Sequence, residues 1–196
     1  MKRIAFFDFD GTITTRDTLL AFIRYQAGTF AYCIGFLLYS PWLVAYRLQI
    51  ISNHLAKEKI LRHFFGNMPL GKFDQLCEQF CRDVLPQLIR KKSLHEINLL
   101  KTGGAEIVVV SASPENWVGR WCADTGIQCL STKLVTNENK LTGRIAGRNC
   151  HGNEKVNRIR DKYKLEEYDE IICYGDTNGD KPMLQLATIA FYKPFR

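Results

Sequence analysis

Two carboxylates one residue apart open the chemistry of this chain. The segment Asp8-Phe9-Asp10-Gly11-Thr12-Ile13 follows directly on a short apolar run, Ile4-Ala5-Phe6-Phe7. Like charges this close repel, and a nearby cation favours the ionised form of both. The carboxyl end of a buried parallel strand is where open α/β sheets gather ligands. A hard divalent ion with oxygen ligands, shared with a phosphate, suits such a pair. Taken alone, Asp-x-Asp is equally at home in a surface turn.

Three downstream segments decide between those readings. Val108-Val109-Val110 ends in Ser111-Ala112-Ser113, and Ile171-Ile172-Cys173-Tyr174 ends in Gly175-Asp176-Thr177-Asn178-Gly179-Asp180. Between them, Gly152-Asn153-Glu154-Lys155 places a lysine ahead of a helical pattern. Alone, Lys155 reads as a solvated helix lysine and Ser111 as a helix N-cap. Their order behind Asp8 makes a constellation: carboxylates, a hydroxyl and an ammonium, each at the end or start of an element.

At these residues the chain resembles the haloacid-dehalogenase-like phosphohydrolases, over nearly all of its 196 residues. The DxDGT motif matches Asp8 to Thr12, the motif II hydroxyl matches Ser111, the motif III lysine matches Lys155, and GDxxxD matches Asp176 and Asp180. An insert after motif I and the wording of motifs III and IV are similar to subfamily IB, the phosphoserine-phosphatase-like branch. The resemblance implies a Mg²⁺-dependent phosphomonoester hydrolase working through an aspartyl-phosphate. Asp8 would be the nucleophile and Asp10 the general acid and base. Ser111 and Lys155 would hold the phosphoryl oxygens. The metal would take a carboxylate oxygen of Asp8, the backbone carbonyl of Asp10 and Asp176, with Asp180 holding a bound water or a neighbouring ligand. Thr12 would stiffen the turn.

The elements that must position these groups follow from periodicity. Strands are expected at 4–9, 106–111, 171–174 and 188–192, with helices at 94–101, 114–125, 153–164 and 180–187. A β-hairpin is expected from 130–135 and 140–145 around Asn137-Glu138-Asn139. Strand–helix alternation implies an α/β fold with a Rossmann-like parallel sheet covered by helices on both faces. Helical spacing at 16–27, 55–66 and 72–92 makes residues 14–92 an inserted α-helical cap, leaving 1–13 and 93–196 as the catalytic core. Pro86 should kink or divide the last of those helices.

Composition sets the class. At 196 residues, 46% hydrophobic and 24% charged, the chain has the makings of one packed domain with an insert. Seven cysteines are scattered without a CxxC pair, which points to free thiols in a reducing cytosol rather than a zinc site. The apolar strand follows Met1-Lys2-Arg3 at once, leaving no room for a signal peptide, so a cytoplasmic location is expected. None of the four histidines is expected to be catalytic. The net charge of +7 is concentrated: residues 14–92 hold eleven Lys/Arg against five Asp/Glu. A basic insert suits an anionic partner, either the phosphate ester itself or an anionic membrane surface. A nucleic-acid partner is not expected, and the oligomeric state is open.

One segment is unlike an ordinary cap. Tyr25 to Tyr46 runs 22 residues without a charge, sixteen of them apolar and seven aromatic. A membrane span is excluded by topology, because Asp8 lies before it and Ser111, Lys155 and Asp176 after it, and two crossings of about eleven residues would be too short. Pro41 is expected to break the segment into a helical hairpin. Either that hairpin packs within the cap, or it dips into a membrane interface with Phe36 and Trp42 entering and Arg24 and Arg47 meeting headgroups.

Substrate readings stay open. Phosphoserine phosphatases carry a cap glutamate shortly after motif I, where residues 14–23 here hold only Asp17. The Ser111-Ala112-Ser113 turn and Gly179 also depart from them. The long aromatic cap is similar to subfamily IB phosphatases acting on phosphatidylglycerophosphate, a lipid phosphate. A soluble phosphorylated metabolite is the alternative. A non-catalytic phosphorylatable or lipid-binding module is the alternative of a different class.

Overall fold

The computed structural model describes residues 1–48 and 50–196. The side chains of Leu43, Tyr46 and Arg47 are not among the described ones, so the expected headgroup contact of Arg47 lies outside the described residues. The chain runs β1 (Arg3–Phe7), α1 (Thr18–Arg47), α2 (Asn53–Phe65), α3 (Leu70–Asp83), α4 (Leu85–Leu88), α5 (Lys91–Thr102), β2 (Glu106–Pro114), α6 (Glu115–Thr125) and β3 (Gln128–Thr132). It continues through β4 (Leu134–Asn137), β5 (Lys140–Ile145), α7 (Asn153–Lys162), β6 (Glu170–Gly175), α8 (Lys181–Leu184) and β7 (Ile189–Tyr192).

Five strands form a parallel sheet in the order β3-β2-β1-β6-β7. Strand alternation sends Ala5, Phe7, Ile107, Val109, Ile172 and Tyr174 to one face, which α5, α6 and the insert cover. Ile4, Phe6, Val108, Val110, Ile171 and Cys173 go to the other face, closed by α7 and α8. The α/β architecture read from the sequence is therefore the one observed. β1, β2 and β6 are neighbours, so their carboxyl ends, carrying Asp8, Ser111 and Asp176, lie side by side.

The 130–135 run divides differently from expectation. Residues 128–132 join the main sheet beside β2, and 134–137 pair antiparallel with β5. Glu138 and Asn139 turn the hairpin with φ of 46° and 58°, the left-handed pair such a two-residue turn requires.

The helices α1 to α4 begin and end at one paired stretch of backbone. Thr15 N donates to Leu88 O at 2.7 Å, and Arg90 N to Ile13 O at 2.9 Å. The apolar contents of these helices are continuous with the core. Phe22 of α1 is surrounded by Phe65, Phe73 and Phe80, and stacks on Trp117 of α6 with centroids 4.7 Å apart. The β4–β5 hairpin also grips the insert. Asn67 N donates to Leu141 O at 2.8 Å, and Leu141 N to Met68 O at 2.9 Å. Pro86 does divide the last helices, α3 ending at Asp83 and α4 beginning at Leu85.

The uncharged segment is not a hairpin. Helical structure continues through Pro41, and the break comes at Gly28, whose φ of 79° and ψ of 163° only glycine adopts readily. The cause is local. Proline at 41 removes the N–H that would bond Leu37 O, and the Ser40 hydroxyl donates to that same carbonyl at 2.7 Å. Beyond Gly28, one side of α1 packs on α2 through Phe36 against Phe64 and Tyr39 against His63, with Tyr32 beside Phe36. The other side leaves Phe30 81% exposed, Leu37 73% and Leu38 62%. Among the described residues, no helix is long and apolar enough to cross a membrane.

Candidate active site

The turn after β1 aims Asp8 into the centre of the site. Gly11 has φ of 81°, and a Cβ there would run into the Asp176 carboxylate, so the turn can close on Asp176 only with glycine. Thr12 ties the two strand ends together, its hydroxyl reaching Asp8 Oδ2 at 3.2 Å and Asp176 Oδ1 at 3.5 Å.

Lys155, from the first turn of α7, is 1% exposed. Its ammonium donates to Asp8 Oδ1 at 2.6 Å, Asp180 Oδ1 at 2.7 Å and Val110 O at 2.8 Å. All three protons are used, and a buried charge so paired is the stable way to keep a lysine inside. Asp180 Oδ2 accepts from Asp176 N, Thr177 N and Thr177 Oγ1, so this residue folds the Gly175–Asp180 loop while it holds Lys155.

Asp8, Asp176 and Asp180 offer oxygens within 4.8 Å of one another, all buried. Burial pushes the Asp8 carboxyl up to about 8, against the lowering pull of Lys155 and with the raising effects of Asp180 and Asp10. Burial also pushes the Asp176 carboxyl up, whereas at Asp180 burial is outweighed by Lys155 together with Thr177, which hold the carboxyl down. One ammonium therefore does not offset the desolvation of all three acids. The Arg196 guanidinium already pairs with Asp176 Oδ2, a second sign that the cluster draws positive charge. Hard oxygen donors and a shortage of cation fit a divalent ion such as Mg²⁺.

This has a measurable consequence. The folded Asp8 carboxyl holds its proton up to about 8, against an ordinary value of 3.8. Between those values the folded chain binds a proton that the unfolded chain lacks, so metal-free stability falls as pH rises from about 4 to about 8. A bound divalent ion favours the ionised carboxylate. Melting in chelator should drop between pH 6 and pH 8, and Mg²⁺ should raise it more at pH 8. Equal melting at both pH values, unchanged by Mg²⁺, would contradict the Asp8 assignment.

Asp10 does not join the acid cluster with its carboxylate. Its side chain turns toward the insert, where Oδ1 accepts from Thr18 N at 2.7 Å and Thr18 Oγ1 at 2.6 Å. Oδ2 accepts from Ser113 Oγ at 2.5 Å and lies 3.5 Å from Ser111 Oγ. Ser111 is fully buried, and its hydroxyl accepts from Ser113 N at 3.0 Å. Ser113, rather than Ser111, lines the open cleft beside Asp8, Asp10 and Lys155.

The cleft holds about 910 Å³. The acid cluster lines part of it; the insert contributes the apolar Leu19, Leu20, Phe36, Ala56 and Ile60 together with the polar Thr15, Arg16, Asp17, Asn53 and Lys57. Lys57 of α2 lines the cleft and donates to Ala112 O at 2.6 Å. Burial pulls its ammonium below the ordinary range, with Asp17 and Asp10 opposing that shift. Sequence reasoning missed Thr18, Ser113, Trp117, Lys57 and Arg196. Of these only Ser113 lay inside a recognised motif.

The fold and the site together define an α/β protein with a buried acid–lysine centre at the carboxyl ends of its parallel strands. The chain belongs to the haloacid dehalogenase-like hydrolases, whose family model matches residues 5–185. It is 31% identical over 192 residues to protein CicA of Caulobacter vibrioides, covering 97% of this chain and 85% of that one. A Mycobacterium tuberculosis protein named a probable phosphatase is 27% identical over 191 residues, covering 94% and 66%. Among solved structures, a Bordetella pertussis Tohama I protein of unknown function superposes with a TM-score of 0.84 at 21% identity, covering 97% and 89%. A substrate-bound phosphoserine phosphatase superposes with a TM-score of 0.72 at 18% identity, covering 98% and 86%. These structural likenesses concern the fold.

Proposed function

We propose that the chain is a Mg²⁺-dependent phosphomonoester hydrolase that works through an aspartyl-phosphate on Asp8 and acts on an amphiphilic, lipid-type phosphate. The observation that carries the chemistry is the buried Lys155 clasped between Asp8 and Asp180 at the mouth of the parallel sheet. Asp8, the Asp10 carbonyl and Asp176 would hold the ion, with Asp180 behind them. The ion, when bound, supplies positive charge to the phosphoryl oxygens and keeps Asp8 ionised.

The steps belong to the chain's own groups. A carboxylate oxygen of Asp8 bonds to phosphorus as the bond to the leaving oxygen breaks. Asp10, as the acid, gives its proton to that oxygen, and the alcohol departs. Water then attacks phosphorus and passes a proton to Asp10, the acyl-phosphate P–O bond breaks, and phosphate leaves with Asp8 restored. Lys155 stabilises negative charge throughout, and Ser111 at the end of β2 is the hydroxyl assigned to the phosphoryl oxygens.

The amphiphilic substrate is supported by the apolar side chains that the insert contributes to the cleft, Leu19, Leu20, Ala56 and Ile60, and by the position of Phe36. Phe36 lies on the same helix as the exposed Phe30, Leu37 and Leu38. The cleft and that apolar surface are thus joined through one helix, in an insert where eleven basic residues outnumber five acidic ones. An anionic membrane, contacted peripherally from the cytoplasmic side, matches both features. The seven cysteines are free thiols, in keeping with that compartment. Phosphatidylglycerophosphate is the specific lipid phosphate the cap resemblance favours; a soluble phosphate ester would use the same catalytic groups without the apolar surface.

The test uses the most exposed residues, since Phe36 faces the cleft and Trp42, 41% exposed, has the Lys59 ammonium 4.8 Å from its ring. Each exposed side chain is worth about 1.5–3 kcal/mol when buried. Phe30→Glu with Leu37→Glu should therefore weaken binding to anionic vesicles about 100-fold. Lipid-phosphate hydrolysis should fall in parallel, with nitrophenyl phosphate hydrolysis kept. Unchanged vesicle binding would contradict the membrane surface and leave a soluble ester as substrate.

A further inference from the structure

We propose that Ser113, Thr18 and Trp117 form a positioning network that holds the Asp10 carboxylate in one orientation, aimed at the substrate's leaving oxygen; this role rests on the phosphatase reading above. Asp10 is half-buried and borders the cleft, whereas Thr18, Ser113 and Trp117 are 0%, 2% and 0% exposed. Behind Thr18, Trp117 Nε1 donates to Thr18 Oγ1 at 2.9 Å. With the indole N–H on its lone pair, the threonine hydroxyl directs its own proton at Asp10 Oδ1. Ser113 fixes the second oxygen.

A purely structural role accounts for only part of this. An aspartate accepting from Thr18 N helps to cap α1, but Asp17 already accepts from Leu20 N at 3.0 Å. Helix capping gives no reason for the Ser113 bond, nor for a buried tryptophan N–H directed at Thr18. The donors come from three separate segments: the start of the insert, the end of β2 and the first turn of α6. Both carboxylate oxygens are held from directions that a single rotamer satisfies. Proton transfer demands heavy atoms about 2.6–3.2 Å apart, and misplacement of a reacting group by about 1 Å can cost a hundredfold. Fixing Asp10 is thus a direct contribution to breaking bonds to poor leaving groups.

The experiment compares an alkyl phosphate with nitrophenyl phosphate, whose leaving group departs with little need of a proton, in the full chain with Mg²⁺. Ser113→Ala should lower kcat on the alkyl phosphate about 30-fold or more while nitrophenyl phosphate changes by less than about threefold and KM moves little. Trp117→Phe keeps a ring against Phe22 and removes only the N–H; it should show the same split at smaller size, and it decides the matter if Ser113→Ala does not fold. Crystals of either folded variant should show Asp10 in more than one rotamer. Equal losses on both substrates, no loss on either, or a single unchanged Asp10 rotamer would overturn the network. A parent protein that hydrolyses neither ester with Mg²⁺ would instead overturn the phosphatase reading, and this role with it.

Discussion

Asp8→Asn should abolish turnover, by about 10⁴-fold or more, on every phosphate ester the protein hydrolyses. The amide is nearly isosteric but a poor nucleophile. The fold should survive. The substitution removes one carboxylate whose ionisation burial already opposes, and Lys155 keeps its bonds to Asp180 Oδ1 and Val110 O. Circular dichroism and melting in chelator should match the parent to within a few degrees, while steady-state assays read the loss. Substantial turnover by a folded Asp8→Asn protein would mean that the phosphoryl group passes to water directly.

The second large effect is on stability as much as on rate. Lys155→Met keeps the length and apolar stem of the side chain but strands Asp8, Asp180 and the Val110 carbonyl, all buried. Removing one partner of a buried ion pair costs about 3–5 kcal/mol, a large share of the roughly 5–15 kcal/mol that holds a domain together. For a chain of this size that is about 10 °C or more in melting temperature. The sign with pH is fixed. Without the ammonium, both carboxyls lose a group that lowers their pKa, so the protonated forms are favoured further. The deficit should be smaller at pH 5 than at pH 8. Turnover should fall about 10²–10³-fold in the folded fraction. A variant as stable and as active as the parent would remove Lys155 from the site.

The acids and Lys155 were legible because each is local in sequence to an element end. A buried parallel strand reads as an apolar run, and the residue after it is placed by the sheet itself; that is how Asp8, Ser111 and Asp176 could be aligned from sequence. What could not be read depends on long-range packing. Trp117 meets Thr18 across 99 positions and Ser113 meets Asp10 across 103, and no periodicity announces either contact. The same limit explains α1. Pro41 is a helix breaker by local rule, yet Ser40 satisfies the carbonyl it frees; Gly28, unremarked in the sequence, takes a backbone conformation closed to other residues. The hairpin was legible in its turn, while its first strand was not separable from β3 because Gln128 to Asn137 is one β-prone stretch shared by two sheets. The motif II segment shows the difference between a motif and its surroundings: Ser111 sits fully buried in β2, and Ser113, two residues on, lines the cleft.

The covalent intermediate is the central claim, and it can be caught directly. Rapid quench of the parent protein with a radiolabelled phosphomonoester and Mg²⁺, followed by acid denaturation and peptide mapping, should place label on the peptide that contains Asp8. The label should be released by hydroxylamine, as an acyl phosphate is, and be absent from Asp8→Asn. A protein that turns the ester over in the same mixture without ever carrying label at Asp8 would contradict the account.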